Sequence, residues 1–327
     1  MAVWIASVLI VGIWVLKGPT PADYVVIGPG PTPDASKLIK ADTATYASQG
    51  SFHITTASVS FPDSLRIEDV IKAAWLRDLD LVPEELVYPP QLSKKESKTL
   101  HAQQMTESQE SAVLAALQQR GIVLATDGAL ITKVVKGVPA SAHLEPGDVI
   151  VAVDGKPITT RDQLTPFVVT RPVGAPIRLS IRRGAANKEV VVQTIESTQN
   201  KGKAAIGIEV KTNVLPLPFK VTIDANDIGG PSAGLIFALA IYDLLDPADL
   251  TGGRVIAGTG TITPDGVVGA VGAVAQKIKG AEKQGATVFL VPADEFKEAV
   301  AAVDNDMQVI GVSTLREAID ALRRRSD

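Results

Sequence analysis

The chain has 327 residues, 46% of them hydrophobic and 21% charged, so it can bury more than one core. Its formal charge of −4 and lack of a dominant basic run argue against nucleic-acid binding, and the Arg323-Arg324-Arg325 tail reads as a solvated helix end. With no cysteine and only His53, His101 and His143, which share no ligand motif, disulfides, thiolate zinc sites and a histidine-built metal centre are all disfavoured, and no cofactor is expected.

Ala2 to Leu16 is free of charge and ends at Lys17. The run is slightly short for a span of about 20 apolar residues, but Trp4 and Trp14 suit the two interfacial belts. With no basic start and no small-x-small site it does not read as a cleaved leader. Residues 1–17 are therefore read as a transmembrane or signal anchor, tethering the rest of the chain to a membrane; the alternative is a buried core helix.

Pro19, Pro21, Pro29, Pro31 and Pro33 keep the next stretch extended. Ser51 to Ser60 is rich in β-branched residues and predicts a strand. Ile67 to Leu79 has helical spacing, and Ser93 to Gln119 predicts a long helix stopped by Gly121. Residues 18–110 are expected to pack on the C-terminal domain.

Leu144 to Ile158 reads L-E-P-G-D-V-I-V-A-V-D-G-K-P-I. Val149 to Val153 is apolar on both faces and predicts an internal strand. Asp154-Gly155 suits a type I′ turn. Thr160 is placed to cap a short helix through Val169, and 176–182 and 189–195 alternate as strands. These residues resemble a PDZ domain over roughly 121–197, drawn here as a domain of 111–200. The resemblance implies a groove in which a peptide adds a strand, with Gly121 to Leu124 as a candidate carboxylate-binding loop. The alternative is a small β-domain that only spaces two others.

Asp227 to Gly234 reads D-I-G-G-P-S-A-G and runs into the apolar L-I-F-A-L-A-I-Y-D-L-L. Ser232 thus sits where a helix begins, beside free amides that could stabilise an oxyanion. G-x-S-x-G also matches the elbow of α/β-hydrolases, but that order needs a later histidine, and none comes after His143. A trypsin-like order would need His53 or His101. No G-x-x-x-x-G-K-[ST] phosphate loop occurs. A plain serine cap after a glycine turn remains the structural alternative.

Thr259 to Ile262 is β-rich, Pro264-Asp265-Gly266 turns, and Val267 to Lys277 (V-V-G-A-V-G-A-V-A-Q-K) leads into a further helix. A lysine near such a helix start, partly desolvated and close to positive dipole ends, has its pKa lowered toward that of a general base. G-P-S-A-G at Ser232 and the run from Gly272 to Lys277, 45 residues apart, resemble the proteolytic domain of the Lon family. The resemblance implies that Ser232 is the nucleophile, Lys277 the base, and Thr259 a hydrogen-bond partner of the lysine. Gly229-Gly230 replaces the family's usual Asp-Gly, with Asp227 displaced, and Ala273 stands where the family has a second glycine.

The N-terminal segment, G-S-F-H-I-T-T (50–56), V-Y-P-P (87–90), the PDZ signature and the C-terminal motifs together resemble the bacterial PDZ-containing Lon-like proteases. The expected architecture is α+β and multidomain: membrane helix, β-rich PDZ-type domain, and an α/β Lon-type proteolytic domain over 201–327. The resemblance implies an ATP-independent serine endopeptidase acting outside the cell membrane on unfolded or peptide-like substrates, and a homo-hexamer. The rivals are an inactive, membrane-tethered peptide-binding adaptor and a site-specific processing enzyme that stays latent until its PDZ domain is engaged.

Overall fold

The structure, a computed structural model, describes residues 24–60, 65, 67–75, 78–87, 94–198, 200–225 and 228–324. The proposed anchor of residues 1–17, Asp227 and Tyr88-Pro89-Pro90 lie outside the described residues. Among the described residues no helix is long and apolar enough to cross a membrane.

The chain forms two compact units, one of residues 1–122 with 219–327 and one of residues 123–218. The first unit opens with β1 (Tyr24–Pro29), β2 (Ile39–Ala41), β3 (Ser51–Ile54) and β4 (Ala57–Val59). The strand expected over 51–60 is therefore two strands, interrupted at Thr55-Thr56. Those hydroxyls bond away from the ladder, Thr55 to the Gly258 carbonyl and Thr56 to that of Pro31. Helix α1 (Ile67–Trp75) and β5 (Asp80–Pro83) come next, and β4, β1 and β5 pair antiparallel as one small sheet. Helix α2 (Lys94–Gln119) is the long helix expected from composition.

Gly121, at φ +74°, ends α2 through bonds from its amide to the Gln118 carbonyl and from the Ile122 amide to that of Leu117. Gly121 thus caps α2 at the start of the segment read as a candidate carboxylate-binding loop.

The second unit holds β6 (Thr126–Val134), β7 (Val149–Val153), β8 (Lys156–Pro157), α3 (Arg161–Val169), β9 (Pro176–Arg183), β10 (Ala186–Gln193), the short pair β11 (Ile195–Glu196) and β12 (Ala204–Ala205), and β13 (Ile208–Val214). The main path is β10-β9-β7-β6-β13. Asp154 and Gly155, at φ 49° and 75°, make the expected primed turn. Ile150, Ile177, Leu179 and Ile181 are fully buried in this unit's core. The unit spans 123–218, whereas the sequence reading draws the domain at 111–200. The additional C-terminal residues include β13, which completes the sheet, and residues 111–119 belong to α2, which packs on a helix of the first unit.

The chain then returns to the first unit with β14 (Val221–Ile223), α4 (Gly234–Leu244), β15 (Val255–Gly258), β16 (Thr261–Ile262), β17 (Val268–Gly269), α5 (Val274–Gln284), β18 (Val288–Pro292), α6 (Phe296–Ala302), β19 (Gln308–Val312) and α7 (Leu315–Arg323). Strands β19, β18, β15 and β3 form a wholly parallel sheet. Such sheets are covered on both faces. Here Ala257, Phe289 and Val291 meet Val274, Ile278 and Ala281 of α5. Gly258, pointing the other way, closely approaches Ile236 of α4. Helix α4 is buried from Gly234 to Asp243, which explains its unbroken apolar run. Arg323 bonds Asp246 at 2.8 Å and the Tyr242 hydroxyl at 2.7 Å, so this arginine of the basic tail braces the fold.

Candidate active site

Ser232 lies in the single 3-10 turn Pro231–Ala233, immediately before α4. Gly230, at φ 85°, lets the chain enter this turn in a conformation that a side chain would oppose. The turn is clamped through its backbone. The Ser232 carbonyl accepts from the Gly260 amide at 2.8 Å and from the Thr259 hydroxyl at 3.2 Å. The Pro231 carbonyl accepts from Ser108 Oγ at 2.9 Å, and the Gly230 amide donates to the His101 carbonyl at 3.3 Å. Ser108 and His101 belong to α2, a contribution that sequence reasoning missed. Its one available signal was a serine on the face that becomes Ala/Leu-rich toward the C-terminus.

Lys277 lies in the first turn of α5, just past Ala273, which adopts the left-handed conformation at φ 57°. The glycine that the Lon family is expected to place there would take this conformation without steric cost. Lys277 is only 5% exposed, and its Nζ donates to Thr259 Oγ1 at 3.0 Å. Burial lowers its pKa to about 8, the nearby charge of Glu295 acting in the opposite direction. Glu295 Oε2 is itself buried without a hydrogen-bond partner among the described residues.

The neighbouring lysines differ. Burial alone would lower the pKa of Lys279, but Asp304 at 2.7 Å and Glu282 at 3.1 Å more than reverse this and raise it. Lys283 pairs with Asp78 at 2.9 Å. Of Lys277 and Lys279, it is Lys277 whose pKa is lowered toward neutrality.

Ser232 and Lys277 both line one cleft of about 730 Å³. It opens at the carboxyl ends of β3 and β15, where parallel sheets commonly hold ligands. Leu38, Ile54, Ala225 and Ile228 give it an apolar wall, and Asp224 adds an acid. Thr259, at the end of β15, links the pair: it accepts from Lys277 Nζ and donates to the Ser232 carbonyl. Among the described residues no hydrogen bond joins Ser232 Oγ directly to Lys277 Nζ. His53 is buried, with Nδ1 2.8 Å from the Thr32 carbonyl and Nε2 3.0 Å from Ser51 Oγ, so both its ring nitrogens are engaged within the fold.

In the second unit, the Gly-Asp of the signature has a structural use. Asp148 is buried and accepts a forked pair of bonds from Arg183, both at 2.7 Å, and one from the Glu145 amide at 3.0 Å. Strand β13 is one of the two outer strands of the sheet path, and α3 packs against it. The expected Thr160 cap makes no side-chain bond; Gln163 Oε1 instead accepts from the Thr159 amide at 2.7 Å.

Parts of the chain are similar to known proteins. Residues 104–194 match the PDZ domain family, and residues 219–324 match the Lon protease (S16) C-terminal proteolytic domain. Lon protease 2 of Bacillus subtilis is 29% identical over 150 residues, covering 42% of this chain and 26% of that protein. A putative serine protease HhoA of Synechocystis is 37% identical over 76 residues, covering 23% of this chain and 19% of that protein. The chain thus spans about a quarter or less of the length of each relative. The PDZ domain of an SdrC-like protein from Listeria monocytogenes is 24% identical, covering 26% of this chain and 87% of that one, with a TM-score of 0.24. Residues 219–324 belong to the Lon protease proteolytic-domain family, on a chain that also carries a PDZ domain.

Proposed function

We propose that the protein is a serine endopeptidase working through a Ser232–Lys277 dyad, with Thr259 positioning the lysine. The observation that carries this reading is the shared cleft, in which a buried lysine of lowered pKa rests on a threonine that also holds the nucleophile's own carbonyl. A neutral amine has two N–H bonds and one lone pair. Directing one N–H at Thr259 Oγ1 orients the lone pair, which takes the Ser232 hydroxyl proton once the two side chains come within hydrogen-bond reach. Catalytic hydrogen bonds of this kind are often long before substrate binds.

The Ser232 oxygen then attacks a peptide carbonyl, and the protonated Lys277 delivers the proton to the leaving amine. Water, deprotonated by the same amine, hydrolyses the acyl-enzyme. The amides of Gly234 and Leu235 at the start of α4 already donate to the Pro231 and Gly260 carbonyls, so the oxyanion donors of this reading are backbone amides of the turn that carries Ser232, each worth about 3–4 kcal/mol in comparable sites.

Hydrolysis proceeds without ATP in this reading, which the resemblance to the PDZ-containing Lon-like proteases supports. Substrates are unfolded or flexible chains, taken up by strand addition at the PDZ edge formed by β13 and α3. The uncharged run Ala2 to Leu16 supports a membrane tether in this reading, and the family resemblance supports a catalytic part outside the cell membrane.

The test is hydrolysis of unfolded casein in the absence of ATP by wild type, Ser232→Ala and Lys277→Ala. Turnover by wild type and by neither variant is expected. No turnover by wild type, with peptide binding intact, would replace the protease with a peptide-binding adaptor.

A further inference from the structure

Helix α5 has two working faces. Val274, Ile278 and Ala281 pack into the core, and Lys277 on that side reaches Thr259. Gln276, Gly280, Lys283 and Gln284 recur at the spacing of a second stripe, turned toward the β4-β1-β5 sheet and the loop after β1. Gln276 is 2% exposed, and its amide donates to the Asp80 carboxylate at the start of β5. A side chain on Gly280 would come within 3.3 Å of the Gly30 carbonyl, so the helix lies almost against that backbone. Lys283 pairs with Asp78 at 2.9 Å, and the Thr32 hydroxyl donates to Gln284 Oε1 at 3.2 Å.

The first turn of α5 most needs this support. Its N-cap residue, Ala273, has no side-chain acceptor for the free amides, and a turn without one tends to fray. That same turn carries Lys277.

We propose that Asp80 is a positioning residue for the base: by holding Gln276, the neighbour of Lys277, it sets the height and rotation of the turn that places Lys277 Nζ on Thr259. The small N-terminal sheet thereby serves as an external brace for the catalytic helix. This rests on Lys277 acting as the base.

The test compares Asp80→Ala, Asp80→Asn and Gln276→Met in the full chain with unfolded casein. A misplacement of about 1 Å lowers turnover by about 100-fold. Asp80→Ala and Gln276→Met should therefore lose roughly 10- to 100-fold in kcat with KM within about two-fold. Asp80→Asn, which keeps an acceptor oxygen, should stay within about three-fold of wild type. Gln276→Met preserves the buried volume, so it remains informative if Asp80→Ala folds poorly.

Unchanged kcat in both Asp80→Ala and Gln276→Met, or a loss confined to KM, would overturn the proposal. If wild type itself has no turnover, the protease reading fails separately. The positioning is then read from the Lys277 amine by nitrogen-15 NMR in a Ser232→Ala background. Its titration should move upward from about pH 8 when Asp80→Ala lets the turn swing toward water, and an unmoved titration would overturn the proposal.

Discussion

Replacing Lys277 with methionine should abolish activity and yet make the fold more stable. At 5% exposure the lysine is held where its charge is poorly solvated, and its pKa falls from 10.5 to about 8. Each pH unit of that drop corresponds to about 1.4 kcal/mol, so the buried ammonium destabilises the folded state by roughly 3 kcal/mol at pH 7. Below pH 8 the amine is protonated in both states and the full penalty applies. Between about pH 8 and 10.5 the unfolded chain still binds the proton that the folded chain has released, so wild-type stability rises with pH. Above that range both states are neutral and the penalty is gone.

Methionine fills similar volume without a charge. Lys277→Met should therefore exceed wild type by roughly 3 kcal/mol at pH 7, with the gap closing toward pH 10.5. Calorimetric unfolding of both proteins at pH 7, 8, 9 and 10, tracking the transition of the proteolytic unit, measures this. A variant no more stable than wild type at pH 7, or a gap that does not change with pH, would refute the assignment of Lys277 as a buried, readily deprotonated amine.

Thr259→Val removes both the acceptor for Lys277 and the donor to the Ser232 carbonyl. It should lower kcat by roughly 10- to 100-fold at unchanged KM, with Thr259→Ser restoring most of the loss in the same casein assay. Gly234→Ala would bring a methyl within 2.8 Å of Ile262 Cγ2 and Ser108 Oγ, displacing the start of α4. Activity should fall by at least about ten-fold, and a crystal structure should show Ser232 moved. In the PDZ unit, burial would raise the pKa of Asp148, but the Arg183 fork and the Glu145 amide outweigh this and hold it below the ordinary carboxylate value. The stability it contributes is present above about pH 4 and is lost as pH falls further. Asp148→Asn should lower that unit's melting temperature at pH 7 by roughly 5 °C and flatten its acid dependence, as read by calorimetry.

Local chemistry made much of this protein legible from residues alone. The Asp154-Gly155 turn, the stop at Gly121 and the long helix before it, and the buried helix after Ser232 each come from near-neighbour sterics and hydrophobic period. Ser232 and Lys277 could be singled out because glycine-flanked helix starts and small-residue approaches leave marks in the chain itself. Tertiary structure decided the features that depend on long-range packing. It placed the Lys277 amine on Thr259 and paired Lys279 and Lys283 with carboxylates. It gave the PDZ unit β13 from beyond residue 200, because pairing with β6 rather than sequence proximity closes the sheet. It brought Ser108 and Asp80, 124 and 197 residues before Ser232 and Lys277 respectively, to brace the turns that carry them. Those contacts are made by ordinary polar side chains whose partners exist only once the sheets have assembled, so the sequence alone does not identify the partners.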